Sequence, residues 1–408
     1  MNILFIHQNF PGQYKHLARY FAEDEANTVV AICQGYAPIT QAPPSNIKAL
    51  IYKPSRSITK GIHGYVSLIE SAVLNGQEVA RKFVALKKNG FTPDICFAHG
   101  GWGESLFFKD IFPNTPLVAY CEFFYHTTGI DINFDPEFPS GLDSLLKTRM
   151  KNMVPLLTLE NCDTAISPTK WQKQLFPKEY LPKISVIHEG IDASIVKPDP
   201  NSTFILPDGT VLDRSMEIIT YTSRNLEPYR GFHIFMRALE IICQRRPNCH
   251  VLITGGDSVS YGSKLPNGQN YREKMLAEVD IDLNRVHFLG KIPYDRHINM
   301  LQVSLIHIYL TVPFVLSWSM LEAMSAGCLI LGSDTTPVKE LIKDGDNGLL
   351  FDYFSPQQIA DQVDKVFSDP DKVAHIRTNA RNFIIKHYNV KDSLKQYTKI
   401  YKQYTQTT

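Results

Sequence analysis

The sequence lacks a strong imbalance of charge. Its 42 Lys and Arg residues nearly offset its 41 Asp and Glu residues, which leaves a formal net charge of +1. Proteins that bind nucleic acid through a broad surface are usually strongly basic. The balance therefore argues against a dedicated nucleic-acid binder, although a local basic patch could lie within it.

Cysteine, long apolar runs and a leader pattern are also scarce or missing. The seven cysteines are scattered singly, without a CxxC pair or a zinc-like Cys/His spacing, which is typical of buried thiols in a reducing compartment. A membrane-spanning helix needs about 18 apolar residues in a row, and the sequence has no such run. No basic region precedes the first apolar stretch at Ile3, so a signal peptide is not indicated. We expect no metal site and a cytoplasmic protein, with peripheral contact at the inner membrane face left open.

The chain does contain many apolar residues, and they recur in a regular order along it. Its 408 residues are 44% apolar and 11% aromatic, which suits two folded domains. Short, continuously apolar runs alternate with amphipathic helical patterns along the whole length, and the cycle restarts after residue 215. Continuous apolar strands are typical of parallel sheets covered by helices on both faces. The sequence therefore predicts an α/β protein with two doubly wound, Rossmann-like domains.

We place the domains at 1–195 and 210–385, with a terminal helix in 386–408 that packs back on the first domain. The join contains Lys197–Pro200, whose prolines cannot continue a helix or a central strand. Two such domains facing each other form a deep cleft at the carboxyl ends of both sheets, where open α/β sheets bind ligands. Functional motifs are expected in the strand-to-helix loops.

One candidate loop carries two arginines. Arg224 and Arg230 flank a segment with a proline, and Gly231 follows before a helical pattern. Two guanidinium groups at the end of a strand suit a diphosphate, because each can bond phosphate oxygens with a fork of N–H donors. The alternative is a pair of solvated surface arginines.

A second candidate loop leads into the helix near residue 318. Ser319 and Glu322 match a capping box, which would be a purely structural role. The functional alternative is that the backbone amides of Leu316, Ser317, Trp318 and Ser319 face an anion. In that reading, Glu322 accepts hydrogen bonds from the vicinal hydroxyls of a ribose.

The first domain offers weaker candidates of its own. Gly12 lies between the first strand and the first helix, where a glycine lets the backbone approach a ligand. His99 and Glu122 each follow a predicted strand, and both side-chain types can contact a sugar or act as acid or base. A satisfied buried histidine is the alternative for His99.

The order of motifs resembles glycosyltransferase family 4, whose members have the GT-B fold and use nucleotide sugars. The resemblance runs from the early glycine loop through ISPTKWQKQLF, SVIHEGID, the Arg-x5-basic-Gly loop, LITGGD, VHFLGKIPY, LEAMSAGCLILGSD and DGDNGLLF. It implies that Arg224 and Arg230 hold the donor diphosphate, with Arg230 where the family usually has lysine. It implies that Glu322 binds the ribose, that the amides of residues 316–319 meet phosphate and that Ile292 lies near the base.

Three positions depart from the family pattern. Phe314 stands where the family usually has a glutamate for the hydroxyls of the donor sugar, eight positions before Glu322. Glu122 stands where a histidine is frequent, and Gly12 is followed by Gln13 rather than by a second glycine. The resemblance therefore implies an altered sugar end and an intact nucleotide end of the donor site.

The implied reaction is metal-independent hexosyl transfer from a UDP- or GDP-linked sugar to an acceptor hydroxyl, with retention at the anomeric carbon and no separate cofactor. The acceptor is left open among small molecules, lipid-linked compounds and glycans. An epimerase or phosphorylase with the same fold remains an alternative, as does a catalytically degenerate sugar-nucleotide-binding protein. We expect Arg224→Ala or Arg230→Ala to abolish most turnover and to leave the fold intact.

Overall fold

The structure is a computed structural model that describes residues 1–36 and 46–405. It divides into two compact units. Unit 1 contains the described residues of 1–190 together with those from Val390 onward, and unit 2 is Ile191–Asn389. Residues 37–45 of the predicted first domain and 406–408 of the predicted terminal helix lie outside the described residues.

Unit 1 is built on a seven-stranded parallel sheet with the order β5-β3-β1-β6-β7-β8-β9. Its elements in chain order are β1 Asn2–Ile6, β2 Asn9–Phe10, α1 Lys15–Ala22, β3 Thr28–Cys33, β4 Gly35–Tyr36, β5 Ile47–Ile51, α2 Ser67–Lys88, β6 Ile95–His99, α3 Phe108–Ile111, β7 Leu117–Tyr120, α4 Leu142–Met150, α5 Met153–Asn161, β8 Thr164–Ser167, α6 Lys170–Gln174 and β9 Ile184–Val186. The short strands β2 and β4 pair with each other.

The central strand β1 shows why this sheet is covered on both faces. Its side chains alternate between the faces because successive residues of a strand point in opposite directions. Leu4 and Ile6 lie in one apolar core, and Ile3 and Phe5 lie in the other. All four are fully buried, so the continuous apolar run of this strand reflects two cores rather than one.

Unit 2 contains a six-stranded parallel sheet with the order β14-β13-β12-β15-β16-β17 and a small antiparallel hairpin. Its elements are β10 Thr203–Ile205, β11 Val211–Asp213, β12 Ile218–Asn225, α7 Phe232–Arg245, β13 His250–Gly256, α8 Tyr271–Leu276, β14 Val286–Gly290, α9 Tyr294–Val303, β15 Ile306–Tyr309, α10 Trp318–Ala326, β16 Leu329–Ser333, α11 Thr336–Leu341, β17 Leu349–Phe351, α12 Pro356–Ser368 and α13 Ala374–His387. The prediction of two doubly wound, parallel-sheet domains is confirmed. The predicted linker region contains the strands of the hairpin, β10 and β11.

Two element boundaries differ from the sequence pattern. The apolar run Val303–Ile308 predicts a strand from Val303, but the strand begins at Ile306, because α9 continues through Val303. The helical pattern Glu78–Lys88 predicts a helix from Glu78, but the helix begins at Ser67 and runs through Gly76, a residue that is unfavourable inside a helix. Gly76 is needed there since a Cβ atom on it would lie 2.7 Å from the carbonyl oxygen of Gly103.

The last described helix, α14 Val390–Thr405, belongs to unit 1. Its Tyr397 and Ile400 are buried in the same core as Ile3 and Phe5 of β1. Within residues 1–36 and 46–405, no helix is both long and apolar enough to cross a membrane.

Candidate functional site

In unit 2 the two candidate arginines lie in different environments. Arg224 is exposed near the end of β12, whereas Arg230 is only 5% exposed. The Nη1 atom of Arg230 donates to Thr311 Oγ1 at 2.8 Å, to the Val315 carbonyl at 2.9 Å and to the Tyr309 hydroxyl at 3.3 Å. The alternative of two solvated surface arginines is therefore wrong for Arg230, which ties β12 to the loop before α10.

Gly231 directly after Arg230 has a structural requirement. Its φ angle is +62°, and a Cβ atom would lie 2.5 Å from Cβ of Leu310. A side chain at this position would both strain the backbone and collide with the end of β15. This glycine allows α7 to begin close against the neighbouring strand.

Phe314 is the centre of an aromatic cluster. It is 5% exposed, and its ring centre lies 4.9 Å from that of Tyr261 and 5.4 Å from that of Tyr229. The guanidinium of Arg230 lies 5.5 Å from the ring centre of Tyr261 and 5.9 Å from that of Phe314. The side chain that replaces the family glutamate is therefore packed into a cation–π arrangement beside the second candidate arginine.

A buried carboxylate, which the sequence did not single out, holds the loop that carries Tyr261. Glu227 is fully buried, and its oxygens accept backbone N–H bonds from Ser260 at 2.9 Å, Tyr261 at 3.1 Å and Gly262 at 2.9 Å. Three amides on one carboxylate fix the backbone strongly. The only sequence signal was an acidic residue inside the Arg-x5-Arg loop, which does not distinguish a clamp from a surface charge.

The N-terminus of α10 is capped differently from the predicted capping box. The N-cap is Ser317, whose Oγ accepts the N–H of Ser319 at 3.3 Å and the hydroxyl of Ser319 at 2.9 Å. Ser317 N–H donates to the Tyr309 hydroxyl at 2.8 Å. The interpretation of Ser319 as the cap is wrong, and two of the four amides expected to face an anion, those of residues 317 and 319, already have partners. Leu316 packs its side chain against the core of unit 2, and Trp318 is the first residue of the helix.

The carboxylate of Glu322 is held by two residues of α9. Its Oε1 accepts the Tyr294 hydroxyl at 2.8 Å, and its Oε2 lies 3.3 Å from His297 Nε2. Glu322 is 5% exposed, and burial together with its carboxylate raises the pKa of Tyr294. Sequence reasoning missed Tyr294 and His297, which are three residues apart and so share one helix face. Ile292, expected near the base, packs its side chain against the core of this unit.

In unit 1, Gly12 is required by a histidine that the sequence analysis did not select. Its φ angle is +46°, and a Cβ atom would lie 2.2 Å from the ring of His7. His7 Nδ1 accepts the N–H of Asn9 at 3.0 Å, so the ring proton is on Nε2, which lies 2.7 Å from Gln13 Oε1. Burial, reinforced by the nearby His99, lowers the pKa of His7 to about 3.

The chain of hydrogen bonds from His7 ends on Glu122. Gln13 Nε2 donates to Glu122 Oε1 at 2.8 Å, and His99 Nε2 faces Glu122 Oε2 at 3.5 Å. His99 Nδ1 accepts the N–H of Gly101 at 3.2 Å, which leaves the proton of a neutral ring on Nε2. Although burial raises the pKa of Glu122, His99 and Gln13 together bring it below its usual value. Glu122 is thus an ionised acceptor whose side chain is 34% exposed.

A small cavity of about 90 Å³ lies beside this pair. His99 and Glu122 line it together with Trp102, whose ring stacks on that of His99 with 4.0 Å between centres, and with Lys151. The structure therefore brings His99, Glu122 and Gly12 of unit 1 into one polar cluster. Among the residues that the structure describes, no group of three or more His, Cys, Asp or Glu side chains is arranged to hold a metal ion.

Two family models match the chain. The model described as glycosyl transferase family 4 group matches residues 25–196, and the model described as glycosyl transferases group 1 matches residues 211–383. An uncharacterized glycosyltransferase of Methanocaldococcus jannaschii is 32% identical over 146 residues, which are 36% of this chain and 36% of that protein. D-inositol 3-phosphate glycosyltransferase of Corynebacterium urealyticum is 26% identical over 191 residues, which are 46% of this chain and 43% of that protein. The chain thus aligns with less than half the length of these curated relatives.

Solved structures resemble the chain over nearly its full length. HepE of Anabaena, in complex with UDP-glucose, has a TM-score of 0.70 at 16% identity and covers 99% of this chain and 100% of its own. Sucrose-phosphate synthase of Thermosynechococcus elongatus has a TM-score of 0.69 at 16% identity, with 100% of both chains covered. At this identity the likeness shows the fold, which is GT-B. The two family models, which between them match most of the chain, show that it belongs to the glycosyl transferases, with the family 4 group model in its first part and the group 1 model in its second part.

Proposed function

We propose that the chain transfers a hexosyl group from a nucleoside diphosphate sugar to an acceptor hydroxyl. The observation that carries the proposal is the hydrogen bond from buried Arg230 to the carbonyl of Val315. This bond fixes a guanidinium charge beside the loop that leads into α10, where the dipole of the helix also favours an anion. HepE, which shares the fold, has been crystallised with UDP-glucose, and this supports a nucleotide sugar as the donor.

The charge that develops on the departing diphosphate would be stabilised by three elements of unit 2. Arg230 supplies a preorganised buried charge, the N-terminus of α10 supplies its dipole, and the exposed side chain of Arg224 would move onto the outer phosphate. Because this arrangement supplies positive charge from the protein, we propose that transfer needs no metal ion. Turnover that persists in excess EDTA supports this, and turnover restored only by a divalent cation contradicts it.

Glu322 would bind the donor ribose. Tyr294 and His297 hold its carboxylate from α9, and an ionised carboxylate is an acceptor to which two vicinal hydroxyls can both donate. UDP-linked and GDP-linked sugars remain the candidate donors. The base would lie near the backbone at Ile292, as the resemblance implies.

The sugar end of the donor site in unit 2 would be formed by Phe314, which offers an apolar contact. Within unit 1, Glu122 would accept a hydrogen bond from a hydroxyl of the acceptor. Retention at the anomeric carbon follows from the resemblance to the family. An NMR time course of the first-formed anomer tests it, because an inverted product would contradict this part of the proposal.

The acceptor would be a small molecule, a lipid-linked compound or a glycan, and nucleic acid is not proposed. Basic residues in 53–60 and 147–151 accompany exposed apolar side chains on α4 and α5, including Leu142 at 70% and Leu157 at 50% exposure. These features favour peripheral contact with a membrane on the cytoplasmic side. Co-sedimentation with anionic and neutral vesicles tests that contact.

The test of the donor is a thermal-shift panel of UDP, GDP and their sugars, since a ligand that binds only the folded state raises the melting temperature. Arg224→Ala is the test variant and Lys372→Ala, an exposed lysine of unit 2, is the matched control. We expect the shift to be lost in the first variant and kept in the second. Product from a nucleotide sugar, compared with product from inorganic phosphate plus a glycoside, separates the transferase from a phosphorylase. Binding without turnover across donors and acceptors would instead favour a degenerate binding protein.

A further inference from the structure

The cavity beside Glu122 and His99 is also lined by a positively charged side chain to which the proposed reaction assigns no role. Lys151, which follows the last residue of α4, lines this cavity together with Trp102, Tyr125 and Phe176. The Nζ atom of Lys151 lies 4.7 Å from the centre of the Tyr125 ring. The cavity therefore has aromatic walls, with both a carboxylate and an ammonium group in its lining.

The ammonium of Lys151 forms no close ion pair among residues 1–36 and 46–405, since no carboxylate oxygen there lies within 4.0 Å of its Nζ. Asp131 acts on it electrostatically from a greater distance. Burial, reinforced by Lys147, lowers the pKa of Lys151, and Asp131 offsets this in part. Lys109 of the same unit shows how a partly buried ammonium is usually neutralised, since its Nζ lies 2.7 Å from a carboxylate oxygen of Asp163. A half-buried ammonium without such a partner favours an anion from outside the chain.

The size of the cavity suits a small charged group. Its volume of about 90 Å³ is several times what a single water molecule needs. A phosphate or carboxylate group therefore fits, together with part of the carbon skeleton that carries it. The ionised Glu122 repels such a group from its end of the cavity, whereas Lys151 attracts it.

We infer that unit 1 has an acceptor-side anion subsite, in which Lys151 binds a phosphate or carboxylate group of the acceptor while Glu122 accepts a hydrogen bond from an acceptor hydroxyl. This inference rests on the proposed function and specifies its acceptor class as anionic. The aromatic walls contact the carbon skeleton between the two groups. Lys151 is thereby a specificity-determining residue and not a group that takes part in the bond exchange.

The chain has three tryptophans, and two of them report on the two parts of the proposal. Trp102 lines the cavity, and Trp318 begins α10. With 5-fluorotryptophan incorporated in the full chain, ¹⁹F NMR follows both resonances during titration, with assignments from single Trp→Phe variants. The probes are inorganic phosphate, glucose 6-phosphate and glucuronate, with uncharged glucose as the control.

We expect the anionic probes to move the Trp102 resonance, and Lys151→Met to weaken this response at least about tenfold through loss of a charge-assisted contact. Lys151→Arg keeps the charge and should retain most of the response. Lys147→Met removes an exposed neighbouring charge and serves as the matched control, with an expected change below about twofold. Equal affinity in Lys151→Met and the unchanged protein, or no Trp102 response to any anion, would overturn the subsite.

The source of the anion is resolved by a second arm. Vesicles of phosphatidylcholine with and without phosphatidylinositol are compared with the soluble sugar phosphates, and a Lys151-dependent response to one set alone identifies the source as lipid or soluble. Failure of the subsite is distinct from failure of the proposed function. The latter is shown when the Trp318 resonance does not respond to UDP or GDP and no nucleotide sugar is turned over.

Discussion

Replacing Arg230 by alanine should cost stability as well as activity, which differs from the expectation drawn from the sequence. The guanidinium makes two well-placed hydrogen bonds through Nη1, at 2.8 Å to Thr311 and at 2.9 Å to the Val315 carbonyl. Each bond from a charged donor contributes about 1.5–3 kcal/mol, and the truncation also leaves the buried acceptors on Thr311 and Val315 without this donor. We therefore expect Arg230→Ala to lower the free energy of unfolding of unit 2 by about 3–5 kcal/mol.

The matched comparison is Arg224→Ala, which removes the same side chain from an exposed position. Its expected effect on the free energy of unfolding is below about 0.5 kcal/mol, because an exposed side chain leaves no buried group without a partner. Arg230→Lys should fall between the two, since lysine keeps the charge and loses the planar fork.

The assay is urea unfolding of the full chain followed by far-UV circular dichroism. Pulsed hydrogen exchange on β12 and β15 assigns the transition to unit 2, because a chain with two units need not unfold in one step. Binding of UDP and GDP is measured under conditions where every variant is folded. If Arg230→Ala unfolds within about 0.5 kcal/mol of the unchanged protein, the clamp between β12 and the loop before α10 is refuted.

Three further predictions follow from buried groups. His7 and His307 have pKa values lowered to about 3 by burial, so the unfolded chain binds more protons below pH 6.5. The free energy of unfolding should therefore fall between pH 6.5 and 5 by up to about 1.4 kcal/mol per pH unit for each ring, and His307→Gln should flatten that slope in urea titrations. Tyr294→Phe should weaken UDP or GDP binding about three- to tenfold by calorimetry, because Glu322 loses a hydrogen bond that positions it; unchanged affinity would count against ribose binding there. Gly231→Ala should lower the melting temperature by several degrees, since φ is +62° there, and a variant as stable as the unchanged protein would contradict the strain argument.

The predictions from sequence agree best with the structure where the local pattern of apolar residues alone determines the secondary structure. Continuous apolar runs predicted the parallel strands, and Ile3 and Phe5 show why, since both faces of that strand are buried. Boundaries were less accurate where a helix carries an interior glycine. Gly76 interrupts the helical pattern of the sequence. Only the structure gives the reason for this glycine, because the carbonyl oxygen of Gly103 leaves no room for a Cβ atom there.

In the candidate site, too, the sequence predicted some features and not others. Residue type and order placed Arg230 in a strand-to-helix loop and Glu322 in the helix that follows another such loop, and both residues lie there. Sequence pattern could not rank the partners of these residues, because hydrogen bonds between distant segments leave no local signature. The cap of α10 is an example, since S-x-x-E fits Ser319 whereas the helix is capped by Ser317.

The sequence by itself determined the fold class and the family, because both follow from the order of apolar runs and loop motifs along the chain. Tertiary structure decided which charges are buried and what faces them. Arg230 is held by three acceptors that lie about 80 residues away along the chain, whereas Arg224 is exposed. Lys151 lines a cavity and has no carboxylate oxygen within 4.0 Å of its ammonium among the described residues. Burial and partnership arise from packing between segments far apart in sequence, and they set the free energy of a charge and hence the ligand that it favours.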